Sequence, residues 1–312
     1  MKIHSREEYL RALAETPRAG ESKVLAFYDH RLGAFCQDGR VMLLPLDDHL
    51  VHRGDGVFET MKYVGRKIYQ LDPHIRRMER SGEAIHLTPP CSWADLRELV
   101  LELCRVADVD NGMVRILLGR GPGGFGIDPA ECPVSSLYLI AYGFTPKPEA
   151  VFDKGVTAFK TSIPAKQSYL AKVKTTNYLP NMLMKREAVE KGFDYPLCFD
   201  EHEFLAEGST ENVVMVDHKG NLVIPELTNA LTGTTLMRAV DLIKGEADVI
   251  FRGITEAEIY QAREIIIIGT TMDAIGVVRY NSKPIHDARP GPMARRIREL
   301  LLKDALANGV GF

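Results

Sequence analysis

Short apolar runs of strand length alternate with amphipathic, helix-like segments along both halves of this 312-residue chain. In the first half, VFETMKYVGRKIYQL predicts a β-hairpin that turns at Gly65–Arg66, and MVRILLG and SSLYLIAYG predict two further strands. Apolar residues at helical spacing predict helices over 6–16, 74–86 and about 92–107, the last with Ser92 as its N-cap. This mixture predicts an α/β or α+β fold.

A proline-containing segment, FTPKPEAVFDKG at 144–155, divides the chain. We predict an N-terminal α/β domain over 1–145 with an extension at 1–23, a linker over 146–155 and a C-terminal domain over 156–312. Two such domains are expected to form a ligand cleft between them. The predicted elements of the second half are a helix over 180–191, a hairpin around Lys219–Gly220, a helix over 234–244, the strand EIIIIG and a final helix over 291–307.

The composition argues against several classes of protein. Hydrophobic residues make up 45% of the chain and charged residues 26%, and the net charge is -3, so no basic surface for nucleic acid is expected. The five cysteines form no CxxC pair and are expected to be free thiols rather than metal ligands. The polar start does not resemble a signal peptide, and the longest apolar runs are far shorter than a membrane span. We therefore expect a cytoplasmic protein.

Two motifs that are associated with known chemistry are incomplete. The loop GRGPGGFG at 119–126 satisfies GxGxxG twice, but a dinucleotide site needs a helix that opens at the third glycine, and here two prolines and another strand follow. The segment HEFLAE at 202–207 lacks the second histidine of HExxH, because Ala206 takes its place. We therefore predict a strand connection at the first motif and no metal site at the second.

The segment KVKTTNYLPN at 172–181 contains two candidate catalytic lysines. Lys172 and Lys174 lie in a predicted strand, where residues two apart share a face, so the pattern alone does not choose between them. Glu207 follows an apolar pair and precedes Gly-Ser, which fits either a strand end that enters a site or a surface turn.

Two threonine-rich segments are candidate anion sites. Thr234 and Thr235, in TGTTLMRA, stand at a predicted helix start, where free N–H groups and the helix dipole favour an anion. The same threonines would also serve as ordinary N-caps. The segment GTT at 269–271 closes an apolar strand and faces either a ligand or an ordinary turn.

Taken in order, six segments resemble the fold-type-IV pyridoxal-phosphate enzymes, which include branched-chain aminotransferases, D-amino acid aminotransferases and 4-amino-4-deoxychorismate lyases. The resemblance extends from about residue 24 to 305 and implies a two-domain enzyme with its active site between the domains. It also implies a homodimer in which the neighbouring subunit completes each site. The six segments are RGDGVFET at 53–60, HIRRM at 74–78, VKTTNYLPN at 173–181, AEGSTENVV at 206–214, LTGTTLMRA at 231–239 and IIGTT at 267–271.

The resemblance carries over a role for each matching residue. Lys174 matches the lysine that forms a Schiff base with the cofactor aldehyde. Arg77 matches the arginine that binds the cofactor phosphate, and Glu207 matches the carboxylate that keeps the pyridine nitrogen protonated. The other matches are Tyr178 at the phenolic oxygen, Thr234, Thr235 and Thr270 at the phosphate, and Phe58, Arg115, Arg120 and Thr271 at the substrate.

The implied activity is transfer of an amino group between an amino acid, D-amino acids included, and a 2-oxo acid. The segments IPAKQSYLAKVKTTNYLPNMLMKREAVEKG and LPLDDHLVHRGDGVFET look closest to the D-amino acid aminotransferase and aminodeoxychorismate lyase branch. Branched-chain enzymes usually have one more residue between the lysine and the Asn-Tyr pair. The branched-chain activity is therefore an alternative rather than the leading expectation.

The loop RGPGGFGID departs from the bacillus-type D-amino acid aminotransferases, which carry an arginine and a histidine there. The loop is closer to the lyase pattern, although the arginine often found at the position of Phe125 is absent too. Elimination of pyruvate from aminodeoxychorismate is therefore the second hypothesis. A non-catalytic binding protein is the third, and the presence of Lys174, Arg77 and Glu207 argues against it.

Overall fold

The computed structural model describes residues 2–312 and shows two compact units. The first holds the described residues up to Thr145 together with Gly309–Phe312, and the second holds Pro146–Asn308. The expected linker differs from this arrangement, because Glu149–Lys154 form a helix of the second unit whose first residue pairs with Arg298 at 2.6 Å. The predicted C-terminal domain also differs at its end, because Val310–Gly311 pair with Lys67–Ile68 of the first unit.

The first unit is built on an antiparallel sheet, whose order is β15–β4–β3–β5–β6–β1–β2. Helices α3 and α4 contact this sheet. Its elements are α1 (Arg6–Glu15), β1 (Val24–Asp29), β2 (Ala34–Cys36), α2 (His49–His52), β3 (Gly56–Val64), β4 (Lys67–Ile68), α3 (Leu71–Ala84), α4 (Trp93–Ala107), β5 (Gly112–Gly119), β6 (Ser136–Tyr142) and the C-terminal β15 (Val310–Gly311).

The local predictions for this unit are confirmed at its turns and caps. Gly65 and Arg66 have φ values of 56° and 59°, as a two-residue type I′ hairpin turn requires. The backbone N–H of Asp95 donates to Ser92 Oγ at 3.1 Å, so Ser92 caps α4 as predicted. The loop that follows β5 is a strand connection without a dinucleotide-type helix, also as predicted, and the carboxylate of Glu131 accepts the N–H of Gly126 at 2.9 Å.

The second unit is built on a mixed sheet in the order β11–β10–β9–β12–β13–β7–β8, with β14 paired to β13. Helices α8 and α10 pack on β12 and β13, which explains why EIIIIG is buried along most of its length. Its elements are α5 (Glu149–Lys154), β7 (Val156–Lys160), α6 (Ser168–Ala171), α7 (Leu179–Lys191), β8 (Tyr195–Leu197), β9 (Asn212–Val216), β10 (Leu222–Ile224), α8 (Thr234–Leu242), β11 (Val249–Phe251), α9 (Glu256–Gln261), β12 (Glu264–Gly269), β13 (Asp273–Tyr280), β14 (Lys283–Pro284) and α10 (Pro292–Asn308).

The strand predicted around Lys172 and Lys174 is wrong. Helix α6 ends at Ala171 and α7 begins at Leu179, and the backbone between them closes into consecutive turns. The N–H of Val173 donates to the carbonyl of Leu170 at 3.2 Å, and the N–H of Thr175 donates to the carbonyl of Val173 at 2.9 Å. The two lysines therefore do not share a strand face.

No helix within residues 2–312 is both long enough and apolar enough to cross a lipid bilayer.

Candidate active site

The structure distinguishes the two candidate lysines. Lys172 is exposed, whereas Lys174 is half-buried and its Nζ donates to the hydroxyl of Tyr178 at 3.2 Å. Tyr178 is the residue from which α7 starts, so its backbone is fixed by that helix. A primary amine in this position is shielded from bulk solvent and directed by a hydroxyl, as an amine nucleophile requires.

Glu207 belongs to the same unit as Lys174 and is half-buried. Burial raises the pKa of its carboxyl to about 7, and the Leu231 N–H, the Lys166 ammonium and the Lys174 ammonium act in the opposite direction. Its Oε2 accepts the N–H of Leu231 at 3.1 Å. A carboxylate that is desolvated in this way binds a cationic N–H group strongly, since the pair then offsets the cost of burial.

Leu231 also connects Glu207 to the start of α8. Its carbonyl accepts Nδ2 of Asn212 at 2.8 Å, and two residues later Gly233 forms the N-cap of α8 without a side-chain cap. A Cβ on Gly233 would lie 1.9 Å from Oδ1 of Asn212, so only glycine fits this close approach.

Thr234 and Thr235, the first two residues of α8, are buried, as the sequence predicted for a helix start. Backbone N–H groups at the N-terminus of a helix of this length, together with its dipole, favour a phosphate. Thr270 and Thr271 form the turn between β12 and β13, where Thr270 is half-buried and Thr271 is exposed. Among the predicted residues of the second unit, Lys174, Tyr178 and Glu207 are joined to the start of α8 by the contacts above.

Arg77 lies in the first unit and is buried together with two partners that sequence analysis missed. Its Nε and Nη2 donate to the carboxylate of Glu59 at 2.7 and 2.8 Å, and Nδ1 of His74 lies 2.6 Å from the same carboxylate. Burial opposes the ionisation of Glu59, but Arg77 and His74 outweigh it and hold the pKa of the carboxyl far below its usual value. The pair is bidentate, which fixes the plane of the guanidinium.

A signal for Glu59 was present in the sequence. Strand β3 places Val57, Glu59 and Met61 on one face, and each of them is 0% exposed. A carboxylate at an apolar-face position needs a charged partner, because an unpaired buried charge is strongly unfavourable. The alternation of β3 therefore pointed to an internal ion pair, although it did not identify Arg77 as the partner.

The two predicted substrate arginines differ in their surroundings. Arg115 is exposed on β5, and its guanidinium carbon lies 5.7 Å from the ring centre of Phe58 on the neighbouring strand. Arg120 instead forms a bidentate ion pair with Asp55 at 2.9 and 3.0 Å. It also donates to the carbonyls of His86 and Ile85 at 2.7 and 2.8 Å. Most of the N–H groups of Arg120 therefore stabilise the fold, and Arg115 is the more accessible of the two.

Comparison with known proteins agrees with this geometry. The family model for the class IV aminotransferases matches residues 56–280. The chloroplastic D-amino-acid transaminase of Arabidopsis thaliana is 32% identical over 91% of this chain and 78% of its own length. A branched-chain amino acid aminotransferase from T.th., solved with pyridoxamine 5′-phosphate, is 25% identical with a TM-score of 0.86, covering 91% of this chain and 95% of that chain.

A third relative carries out a different reaction on the same fold. The 4-amino-4-deoxychorismate lyase of Pseudomonas aeruginosa is 25% identical with a TM-score of 0.75, covering 85% of this chain and 96% of that chain. The family match covers more than half of the chain and includes the segments of Glu59, Arg77, Lys174 and Glu207. The chain therefore belongs to the class IV aminotransferases and is a pyridoxal-phosphate-dependent enzyme of the two-sheet, fold-type-IV architecture.

Proposed function

We propose that this aminotransferase transfers an amino group between a D-amino acid and a 2-oxo acid. The observation that carries the transfer chemistry is the half-buried Lys174 amine, held 3.2 Å from the Tyr178 hydroxyl in the same unit as the desolvated Glu207. The D-amino acid preference is supported by the Arabidopsis thaliana relative and by the short spacing between Lys174 and the Asn-Tyr pair.

The residues of both units fit the cofactor that the family uses. Pyridoxal phosphate supplies an aldehyde, an anionic phosphate and a ring that accepts electrons when its nitrogen is protonated. Lys174 is the amine that binds the aldehyde, and Glu207 is the carboxylate that binds the protonated ring nitrogen. The uncapped start of α8, with Thr234 and Thr235, fits the phosphate. We assign the second phosphate contact to Arg77 and further contacts to Tyr178 and Thr270.

Lys174 is also the proposed acid–base group. Once the substrate amine has replaced it, its Nζ takes the proton from the α-carbon of the substrate and returns it at the neighbouring cofactor carbon. Tyr178 holds the Lys174 amine near this position through the hydrogen bond at 3.2 Å. For the substrate we retain Phe58, Arg115 and Thr271, with Arg115 as the partner of a carboxylate because its guanidinium is exposed.

The substrate proposal is tested with a panel of amino acids in both enantiomeric forms. Each is incubated with the holoenzyme and 2-oxoglutarate, and the glutamate formed is measured by chiral chromatography. We expect D-amino acids to react and D-glutamate to accumulate. Exclusive use of L-leucine, L-isoleucine and L-valine would instead assign a branched-chain aminotransferase.

The lyase is the second candidate, and the loop after β5 favours it, because Phe125 replaces the arginine and histidine of the bacillus-type transaminases. Pyruvate released from 4-amino-4-deoxychorismate is measured with lactate dehydrogenase under the same conditions. Release of pyruvate without any exchange of amino groups would select the lyase.

We predict that the buried ion pair of Glu59 supports both stability and cofactor binding. In Glu59→Gln the Arg77 guanidinium loses its charged partner, so the free energy of unfolding should fall by about 3–5 kcal/mol and the Kd for pyridoxal phosphate should rise. Urea denaturation and a fluorescence titration with the cofactor measure the two effects. The matched control is Glu83→Gln, since Glu83 is an exposed carboxylate on the same helix as Arg77. Equal midpoints and equal Kd values for the two variants would refute the role of Glu59.

We further propose a homodimer, as the resemblance implies. Phe125 and Ile127 are 73% and 86% exposed in the loop after β5, and burial against a second chain would remove this apolar surface from water. Light scattering coupled to size-exclusion chromatography is expected to give the molar mass of two chains, and the mass of one chain would refute this. A cytoplasmic location stays a prediction.

A further inference from the structure

Lys166 is a second ammonium group beside the proposed catalytic pair, and sequence analysis did not single it out. Its Nζ lies 4.6 Å from the centre of the Tyr178 ring. The Nζ of Lys174 lies 5.7 Å from the same ring centre and 3.2 Å from the hydroxyl. The ring of Tyr178 therefore contacts two ammonium groups, each at a distance typical of a cation–π interaction.

The loop that carries Lys166 is fixed to the strands of the second unit. The N–H of Ala165 donates to the carbonyl of Phe199 at 2.9 Å. The carbonyl of Lys166 accepts Nδ2 of Asn229 at 3.3 Å, and the same Nδ2 donates to Glu201 at 2.9 Å. Beside Lys166, Ala165 and Ile163 pack on a small buried cluster of Met184, Cys198 and Ala206. The position of the Lys166 backbone is therefore set by the fold rather than by solvent.

The side chain of Lys166 differs from an ordinary surface lysine. It is half-buried, and among the described residues its ammonium group makes no hydrogen bond and no ion pair. Burial lowers the pKa of this ammonium, while Glu207 and Cys198 act in the opposite direction. Long lysine side chains normally extend their charge into water. A cation that is instead kept near an aromatic ring and a buried carboxylate indicates a ligand with negative charge at this place.

We propose that Lys166 is a positioning residue of the cofactor site, which holds Tyr178 against Lys174 and places a second positive charge beside the cofactor. This proposal rests on the assignment of Lys174 and Tyr178 to the cofactor. Because Tyr178 is the expected neighbour of the phenolic oxygen, the charge of Lys166 lies on the side of the site where that oxygen is negative. The ionisable groups that surround Lys166 and Tyr178 are Lys174, Cys198, Glu201 and Glu207.

A fixed positive charge disfavours a proton on any group close to it. The visible absorbance of the bound cofactor changes when it gains or loses a proton, so the midpoint of a spectroscopic pH titration reports the charge at this site. The neutral variant Lys166→Met should raise that midpoint by about one pH unit. Lys166→Arg keeps the charge and the cation–π contact, and should restore the midpoint of the wild-type protein.

The matched control is Lys172→Met, since Lys172 is an exposed lysine in the segment that also contains Lys174. Its titration midpoint should equal that of the wild type. Should Lys166→Met fail to fold, Lys166→Gln and Lys166→Arg provide the same comparison of a neutral and a charged side chain. An unchanged midpoint in a coloured, folded Lys166→Met or Lys166→Gln protein overturns the role of Lys166 alone. A wild-type protein that takes up no pyridoxal phosphate would overturn the proposed function as well.

Discussion

Replacing Lys174 with alanine is expected to reduce kcat for amino transfer by a factor on the order of 10²–10⁴ or more and to leave the purified protein colourless. Lys174 supplies both the amine that binds the cofactor aldehyde and the group that moves the proton, so no other residue of the site compensates for its loss. The rate is measured with the best substrate of the enantiomer panel, and the absorbance is recorded after incubation with excess pyridoxal phosphate.

The control for this experiment is Lys172→Ala. Lys172 lies two positions away in the same irregular segment but is exposed, so this variant should keep its colour and nearly all of its activity. Circular dichroism shows whether both variants are folded. Wild-type turnover in Lys174→Ala, or a loss of colour in Lys172→Ala alone, would show that the wrong lysine has been assigned.

Glu207→Gln is expected to have the second largest effect, with a fall in kcat on the order of 10²–10³-fold. The carboxylate keeps the ring nitrogen protonated, and a neutral amide does not. The hydrogen bond from Leu231 to position 207 is retained by glutamine, so the variant removes the charge and keeps the shape. Turnover close to that of the wild type would show that another group protonates the ring.

The same substitution changes how the stability of the cofactor-free protein depends on pH. Burial raises the pKa of the Glu207 carboxyl to about 7 from its ordinary value of 4.5, so the folded state favours the neutral form. The contribution of Glu207 to stability is therefore fully present below its ordinary pKa and is lost as pH rises through about 7.

Urea denaturation of the cofactor-free protein at about pH 4.5 and about pH 8 should therefore show a loss of about 2 kcal/mol in the wild type that Glu207→Gln lacks. Both proteins are measured in the same buffers, so that other titrating groups contribute equally. Identical pH dependence in the two proteins would mean that Glu207 is solvated rather than buried.

Local chemistry predicted many elements of the fold. The hairpin at Gly65–Arg66 was predictable because a two-residue turn with positive φ joins two apolar strands. Helix α7 starts with Pro180 in its first turn and is closed by Gly192 at a φ of 74°, and both residues are visible as start and stop signals. Features of this kind depend on residues close in sequence, so the pattern contains the information needed.

Contacts between distant segments were not predictable in the same way. The turns of 172–178 replace the expected strand because α6 and α7 flank the segment so closely that no strand develops. The pairing of Glu59 with Arg77 joins a strand to a helix 18 residues later, and the contact of Lys166 with Tyr178 depends on a loop fixed by Phe199 and Asn229. These partners are set by tertiary packing, which residue spacing alone does not specify.

The most direct test of the account is to find where the cofactor is attached. The holoenzyme is reduced with sodium borohydride, digested with a protease and mapped by tandem mass spectrometry. We predict that the reduced pyridoxyl group is found on Lys174, and on neither Lys166 nor Lys172. A modification on another lysine, or a protein that binds the cofactor without any covalent attachment, would contradict the assignment on which the proposed function depends.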